Sequence, residues 1–159
     1  MKSLVTYYSF SGNTDKVIRI FEKVLKWHGE VDIQRLKPQD EITAFMRQCQ
    51  AARGHKRAIL ADGVRFDASP YDLVLVGSPV WAFAPTPAMN TYLDKVTGLN
   101  GKRAIVVLTS GSGLGVKACF RSIRKILEAK GASRIDEINI PNRKNNDGHF
   151  VMGSLQKLL

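Results

Sequence analysis

The 159-residue chain predicts a single α/β domain over residues 1–159, a doubly wound five-stranded parallel sheet with helices on both faces. Three observations carry this expectation. Strand-type runs and helical-period segments alternate about five times, the pattern of parallel strands joined by crossover helices. Two runs, Leu73–Gly77 and Ala104–Leu108, are apolar without a break, as in strands buried on both faces. No internal repeat, low-complexity stretch or linker divides the chain. Right-handed crossovers then leave few topologies.

Each element follows from its own pattern. Leu4–Tyr8 is a short apolar and β-branched run, a strand. Beyond the polar turn Ser9–Asn13, the residues Val17, Ile18, Phe21, Val24, Leu25 and His28 recur at helical spacing. Gly29 stands where helices commonly end. Glu30–Leu36 alternates as a second strand. In the stretch from Lys37 to Ser69, Phe45, Met46, Cys49 and Ala52 give one apolar face, so a short helix is expected around Ile42–Arg53 within a loop. Leu73–Gly77 is the third strand and Pro87–Val96 a helix with Met89, Leu93 and Val96 inward. Ala104–Leu108 is the fourth strand. Val116, Phe120, Ile123 and Leu127 line a helix that stops near Gly131. Arg134–Ile140 is the last strand, and Val151–Leu159 a short closing helix.

Composition bounds the class. An apolar fraction of 44% and a charged fraction of 24% are those of a globular protein. Lys and Arg number 24 against 14 Asp and Glu, a net charge of +10, which favours acidic partners, nucleic acid or anionic membrane. The two cysteines, Cys49 and Cys119, lack the spacing of a disulfide framework or a zinc site and are expected to be small buried residues. Met1–Val5 runs straight into a strand pattern without a leader layout, and no apolar run approaches the length of a membrane span. A cytoplasmic location is expected. His28, His55 and His149 are scattered without metal-ligand spacing; His28 reads as a helix-end residue and His149 as part of a polar loop.

In open α/β sheets, ligands bind beyond the carboxyl ends of the strands, where the strand order switches. Three loops stand there. Ser9, Phe10, Ser11, Gly12, Asn13 and Thr14 place three hydroxyls and a glycine at a helix start, where free N–H groups and the helix dipole attract an anion. No Lys or Arg lies between Lys2 and Lys16, so a phosphate would meet neutral donors only. As a plain capped turn, the loop would use Asn13 or Ser11 as N-cap. The second loop, Gly77, Ser78, Pro79, Val80, Trp81, Ala82, Phe83, Ala84 and Pro85, exposes two aromatics suited to a flat aromatic ligand, or else packs them as core. In the third, Thr109, Ser110, Gly111, Ser112, Gly113, Leu114 and Gly115, three glycines let backbone approach a ligand closely. The spacing differs from the dinucleotide fingerprint, whose third glycine falls one residue later.

Together these loops resemble those of the flavodoxin family, over nearly the whole chain and in the right order. Ser9–Thr14 is similar to the family's loop for the phosphate of flavin mononucleotide (FMN). Gly77–Trp81 is similar to the loop whose aromatic covers the flavin ring. Thr109–Gly113 is similar to the small-residue loop on the other flank, and Phe45–Gly54 to a helical insertion of one subgroup. The resemblance implies strand order 2-1-3-4-5, with FMN as cofactor. It implies a cofactor site of Ser9, Phe10, Ser11, Gly12, Asn13, Thr14, Ser78, Pro79, Val80, Trp81, Ala82, Phe83, Thr109, Ser110, Gly111, Ser112 and Gly113. Well-known members are acidic and commonly carry a second aromatic in the third loop; this chain is basic and carries none there.

Other chemistries on the same architecture lack their residues. A phosphoacceptor receiver needs acids where Tyr8, Ser9 and Ser78 stand. A P-loop needs Gly-Lys-Ser/Thr, and a cysteine phosphatase needs a thiol in the first loop. Three functions are compatible: an FMN electron carrier, an FMN-dependent quinone or flavin reductase, or a cofactor-less fold that binds an acidic partner. The three loops hold no catalytic acid, base or nucleophile, which favours the carrier, because a flavin carries its own chemistry. The expected partner is an acidic redox protein. It would meet a basic ridge of Lys117, Arg121, Arg124 and Lys125 and a second region of Arg47, Arg53, Lys56 and Arg57. Few aromatics interleave these charges, which argues against nucleic acid.

Overall fold

A computed structural model describes residues 1–159. Five parallel strands form one sheet in the order β2-β1-β3-β4-β5. The strands are β1 (Lys2–Tyr7), β2 (Glu30–Arg35), β3 (Leu73–Pro79), β4 (Arg103–Ser110) and β5 (Arg134–Pro141). The helices are α1 (Asn13–Lys26), α2 (Phe45–Arg53), α3 (Pro87–Lys95), α4 (Val116–Ala129) and α5 (Gly148–Gln156). The chain leaves β1 toward β2 on one side and returns across it to β3 on the other, so the strand order switches between β1 and β3.

Period-two alternation sorts the strand residues onto two faces. Leu4, Val74, Val76, Ala104, Val106 and Leu108 meet Met89, Tyr92 and Leu93 of α3 and Cys119, Phe120, Ile123 and Leu127 of α4. Val5, Leu73, Leu75, Ile105 and Val107 meet Val17, Phe21, Val24 and Leu25 of α1 and Val151 and Leu155 of α5. Both layers are almost wholly shielded from water, as the unbroken apolar runs of β3 and β4 require. At the edge, β2 has no fully buried residue, which its mixed sequence reflects. Gly29 turns the chain from α1 into β2 at φ 145°. A side chain there would bring its first carbon within 2.0 Å of the Met1 carbonyl oxygen, so only glycine fits.

The segment between β2 and β3 differs from its expected packing. In α2 the inward residues are Gln48, Ala51 and Ala52, while Phe45 and Met46 are 70% and 67% exposed. Gln48 turns inward because its side-chain amide donates to the Ile42 carbonyl at 2.7 Å. That bond fastens the loop before the helix and leaves the larger apolar side chains outside. The rest of the insertion is held as loop. Pro38 bridges Leu60, and the Thr91 hydroxyl of α3 both accepts from the Ala58 N–H at 2.9 Å and donates to its carbonyl at 2.7 Å. A short 3-10 turn, Asn142–Lys144, follows β5, and α5 begins at Gly148, capped by the Asp147 carboxylate on the Phe150 N–H. His149 therefore sits in the first turn of α5 rather than in a loop.

Candidate functional site

The loops after β1, β3 and β4 converge on one cleft of about 460 Å³ at the β1/β3 switch, a size within the roughly 300–1,000 Å³ usual for small-molecule sites. Its walls contain Ser9, Phe10, Ser11, Asn13 and Thr14 from the first loop and Pro79, Val80, Trp81, Ala82 and Phe83 from the second. Thr109, Ser110, Gly111 and Ser112 come from the third. Three other expected site residues are not part of these walls. Gly12 is the N-cap of α1, Ser78 is buried with its hydroxyl on the Pro79 carbonyl, and Gly113 bends the third loop at φ 79°.

The first loop is shaped for an anion. Gly12 takes a left-handed conformation, φ 86°, and ends the loop directly on α1. The Tyr8 N–H is used by the Gly77 carbonyl and the Asp15 N–H by the Ser9 hydroxyl. Between them, the N–H groups of Ser9, Phe10, Ser11, Gly12, Asn13 and Thr14 have no acceptor within the protein. Such a run of free donors at a helix N-terminus is an anion nest. The cap is Gly12, and neither Asn13 nor Ser11 supplies a capping bond. The Asn13 amide instead spans two contacts, donating to Ser11 Oγ at 3.1 Å and accepting from Asn145 Nδ2 at 2.6 Å. The expectation of purely neutral surroundings is also corrected. Arg35, at the end of β2, donates to the Ser9 carbonyl at 2.7 Å and sets a guanidinium against the loop. Sequence separation hid this cation, since parallel pairing of β1 with β2 brings Arg35 opposite Tyr7.

Charge near the helix start is otherwise neutralised. Asp15 accepts from Tyr7 Oη at 2.6 Å and from Arg19 Nε at 2.7 Å. Partial burial works against its ionisation, but those two bonds outweigh it and hold the carboxyl below its ordinary range. Burial, with the Asp15 carboxylate beside it, pushes the Tyr7 phenol up to about 12. Tyr8 is raised by burial and by its 2.8 Å bond to Glu41. Both phenols stay neutral across the physiological range.

The second loop reverses sharply. Trp81 and Ala84 exchange backbone hydrogen bonds at 3.0 Å, with Ala82 and Phe83 both at positive φ, 45° and 72°. Non-glycine residues adopt that geometry at a cost and only when their surroundings impose it. Here the two residues are the centre of the two-residue reversal closed by Trp81 and Ala84, and the third loop packs against it: a side chain at Gly115 would lie 2.6 Å from Phe83 Cα, so glycine lets the two loops touch. Phe83 is exposed as expected, but Trp81 is half-buried. Its ring stands edge-on to Tyr8 and to Phe10, with centroids 5.7 and 6.1 Å away. Trp81 thus combines the two roles that the sequence left open. It packs partly against the core and still lines the cleft. It also borders a second cavity of about 220 Å³, beside Tyr8, Glu41, Lys56 and Pro87.

The first and third loops are joined by the buried pair Thr14 Oγ1 and Thr109 Oγ1, 2.8 Å apart. Four lining residues lie outside the expected set: Phe45, Cys49, Leu114 and Asn142. Phe45 and Cys49 reach the cleft because α2 turns its glutamine inward, so Cys49 is half-buried at the site while Cys119 is fully buried. Burial pushes the Cys119 thiol up to about 12. Asn142 follows β5, a strand end that the same switch-point rule covers. Its Oδ1 is buried without a partner. No Asp, Glu, Lys, Arg or His lines the cleft, and Cys49 is its sole titratable side chain.

A family model described as flavodoxin matches residues 2–140. No curated protein matches the chain in sequence. Among solved structures, the chain is similar to a flavoprotein in complex with FMN from Lactobacillus acidophilus, at 22% identity and TM-score 0.63, covering 92% of this chain and 97% of that one. It is similar to oxidised flavodoxin 2 from Bacillus cereus, at 17% identity and TM-score 0.61, covering 99% of both chains. It is also similar to the apo form of an NADH:FMN oxidoreductase, at 14% identity and TM-score 0.64, covering 99% and 88%. Likeness at these identities establishes the fold. No helix is long and apolar enough to cross a membrane.

Proposed function

We propose that this chain, which belongs to the flavodoxin family, binds FMN in the cleft at the β1/β3 switch and acts in electron transfer. The observation that carries this reading is the run of six unpaired N–H groups from Ser9 to Thr14 at the start of α1. A phosphate dianion satisfies such donors and faces the positive end of the helix dipole. The hydroxyls of Ser9, Ser11 and Thr14 add donors to the same nest. Arg35, bound to the Ser9 carbonyl, adds a positive charge beside it.

The remaining walls suit the flat part of the cofactor. Trp81 is held edge-on by Tyr8 and Phe10, which fixes its ring against rotation. Thr109–Ser112 and Asn142 offer small side chains, backbone and amide groups on the other flank. FMN, when bound, supplies reversible electron uptake and release. The chain holds the cofactor and shields it, and it adds no acid or base, since no Asp, Glu, Lys, Arg or His lines the cleft. That donor set favours a carrier over an enzyme that moves protons at a substrate.

A second reading, an FMN-dependent quinone or flavin reductase, is favoured by one observation. The third loop brings Thr109, Ser110, Gly111, Ser112 and Leu114 rather than an aromatic to the cleft, which leaves one flank free of a stacking ring and open to a substrate ring. The two readings separate by turnover. A reductase oxidises NADH or NADPH steadily with a quinone present; a carrier does not.

FMN binding itself is tested by adding excess FMN, removing the unbound flavin by gel filtration and recording the visible spectrum. Retained flavin absorption, perturbed by the tryptophan, is the expected result. A colourless protein after FMN addition would overturn the proposal.

A further inference from the structure

We infer that the rim of the cleft is a docking face for an acidic protein, an inference that rests on the reading of the cleft as the redox site. Five large apolar side chains stand out of the surface there: Phe10, Phe45, Met46, Phe83 and Leu114. Four of them line the cleft itself, and Met46 adjoins Phe45 on α2. Single exposed apolar residues are ordinary, but a contiguous ring around one opening marks an interaction surface.

The charges flanking this ring say what covers it. Residues 42–61, which contain α2, hold Arg47, Arg53, Lys56 and Arg57 and no Asp or Glu. Residues 109–127, which lead from the third loop into α4, hold Lys117, Arg121, Arg124 and Lys125 and again no acid. These two segments contain most of the net charge. Within them the structure separates structural cations from free ones. Arg57 is forked onto Asp94, and Arg124 is paired with Glu137 and Glu128. Arg47, Arg53, Lys117 and Arg121 make no ion pair and are exposed.

Two of these positions, Arg47 and Lys117, oppose helix stability. Cations are unfavourable near a helix N-terminus. Yet Lys117 lies in the first turn of α4 and Arg47 in the first turn of α2, and neither turn holds an acid. The same chain follows the rule elsewhere: α1 has Asp15 in its first turn and Lys23 and Lys26 in its last. At the starts of α2 and α4, the side-chain charges add to the positive helix ends rather than cancel them. The result is a positive field around an apolar opening, complementary to an acidic surface with an exposed redox centre. A folded protein fits better than a polyanion, because the apolar ring needs apolar surface to cover it.

The test uses an acidic plant-type ferredoxin as probe, titrated into isotope-labelled protein with and without FMN while amide chemical shifts are followed. Shift changes should map to Phe10, Phe45–Arg47, Phe83 and Leu114–Arg121. Affinity should fall about tenfold or more as ionic strength rises from about 0.01 M to about 0.15 M, because surface pairs are screened at that strength. Arg47→Glu with Lys117→Glu should remove most of the binding, while Lys23→Glu on α1 should leave it unchanged. Basic cytochrome c, single-stranded DNA and phosphatidylserine vesicles are run in parallel. No ferredoxin binding, salt-independent binding, shifts away from the rim, or tighter binding to any of the other three probes would overturn the inference. Ferredoxin binding without FMN tests the surface alone, so failure of docking is distinguishable from failure to bind FMN.

Discussion

At single side chains, the cleft makes sharp demands. Cys49 and Cys119 have the same chemistry and opposite surroundings: one is half-buried on the cleft wall, the other sealed between β4 and α4. A thiol reagent should therefore label Cys49 in the native protein and Cys119 only after unfolding. Saturating FMN should slow the labelling of Cys49 severalfold. Unslowed labelling, read by mass spectrometry, would place the flavin elsewhere. Trp81 makes a second demand. Aromatic pairing is worth about 0.5–1.5 kcal/mol beyond area burial, so Trp81→Ala should weaken FMN binding by up to about tenfold, with Trp81→Phe recovering most of the loss. Binding unchanged in Trp81→Ala would give the ring a purely packing role against Tyr8 and Phe10. Trp27 is far more exposed, at the end of α1. It complicates fluorescence but not the affinities.

Helices and strands differ in how openly the sequence announces them. The unbroken apolar runs of β3 and β4 and the 3.6-residue periodicity of α1 and α4 report local burial directly, so these elements were legible. The inward face of α2 is Gln48, Ala51 and Ala52, with the glutamine bonded to a loop carbonyl, and hydrophobic patterning does not place a glutamine inward. Its exposed Phe45 and the cleft contact of Cys49 were therefore hidden. Arg35 and Asn142 stand at the ends of β2 and β5, which the strand-end rule also covers, but only the sheet register shows that they adjoin the first and third loops. The first, second and third loops were legible as candidates because the switch-point rule points to strand ends, whichever side chains they carry. The charge order of α4 yields a prediction of its own. Lys117→Glu replaces a first-turn cation by an acid and should raise stability by about 0.3–1 kcal/mol, measured by urea unfolding. A loss of stability would mean that Lys117 has a structural partner and would weaken its assignment to docking.

For the molecule as a whole, two properties meet at one end of the sheet. The strand order switches there, so helix starts and strand ends open a cleft with free donors and no Asp, Glu, Lys, Arg or His within it. Two acid-free basic segments, residues 42–61 and 109–127, flank that cleft, so a lining without charged side chains opens between positive stretches of chain. On the proposed reading, a phosphate would be held by directed N–H groups rather than by ion pairing alone, and the surface cations would be left for a partner. The phosphate contact is the most exposed part of this reading, and one comparison isolates it: the affinities of FMN and of riboflavin, which differ only by the phosphate, from quenching of flavin fluorescence. A hydrogen bond to a charged group is worth about 1.5–3 kcal/mol, so FMN should bind at least about tenfold more tightly than riboflavin, and Thr14→Ala should narrow the gap. Equal affinities for the two flavins would show that the Ser9–Thr14 nest does not hold the phosphate.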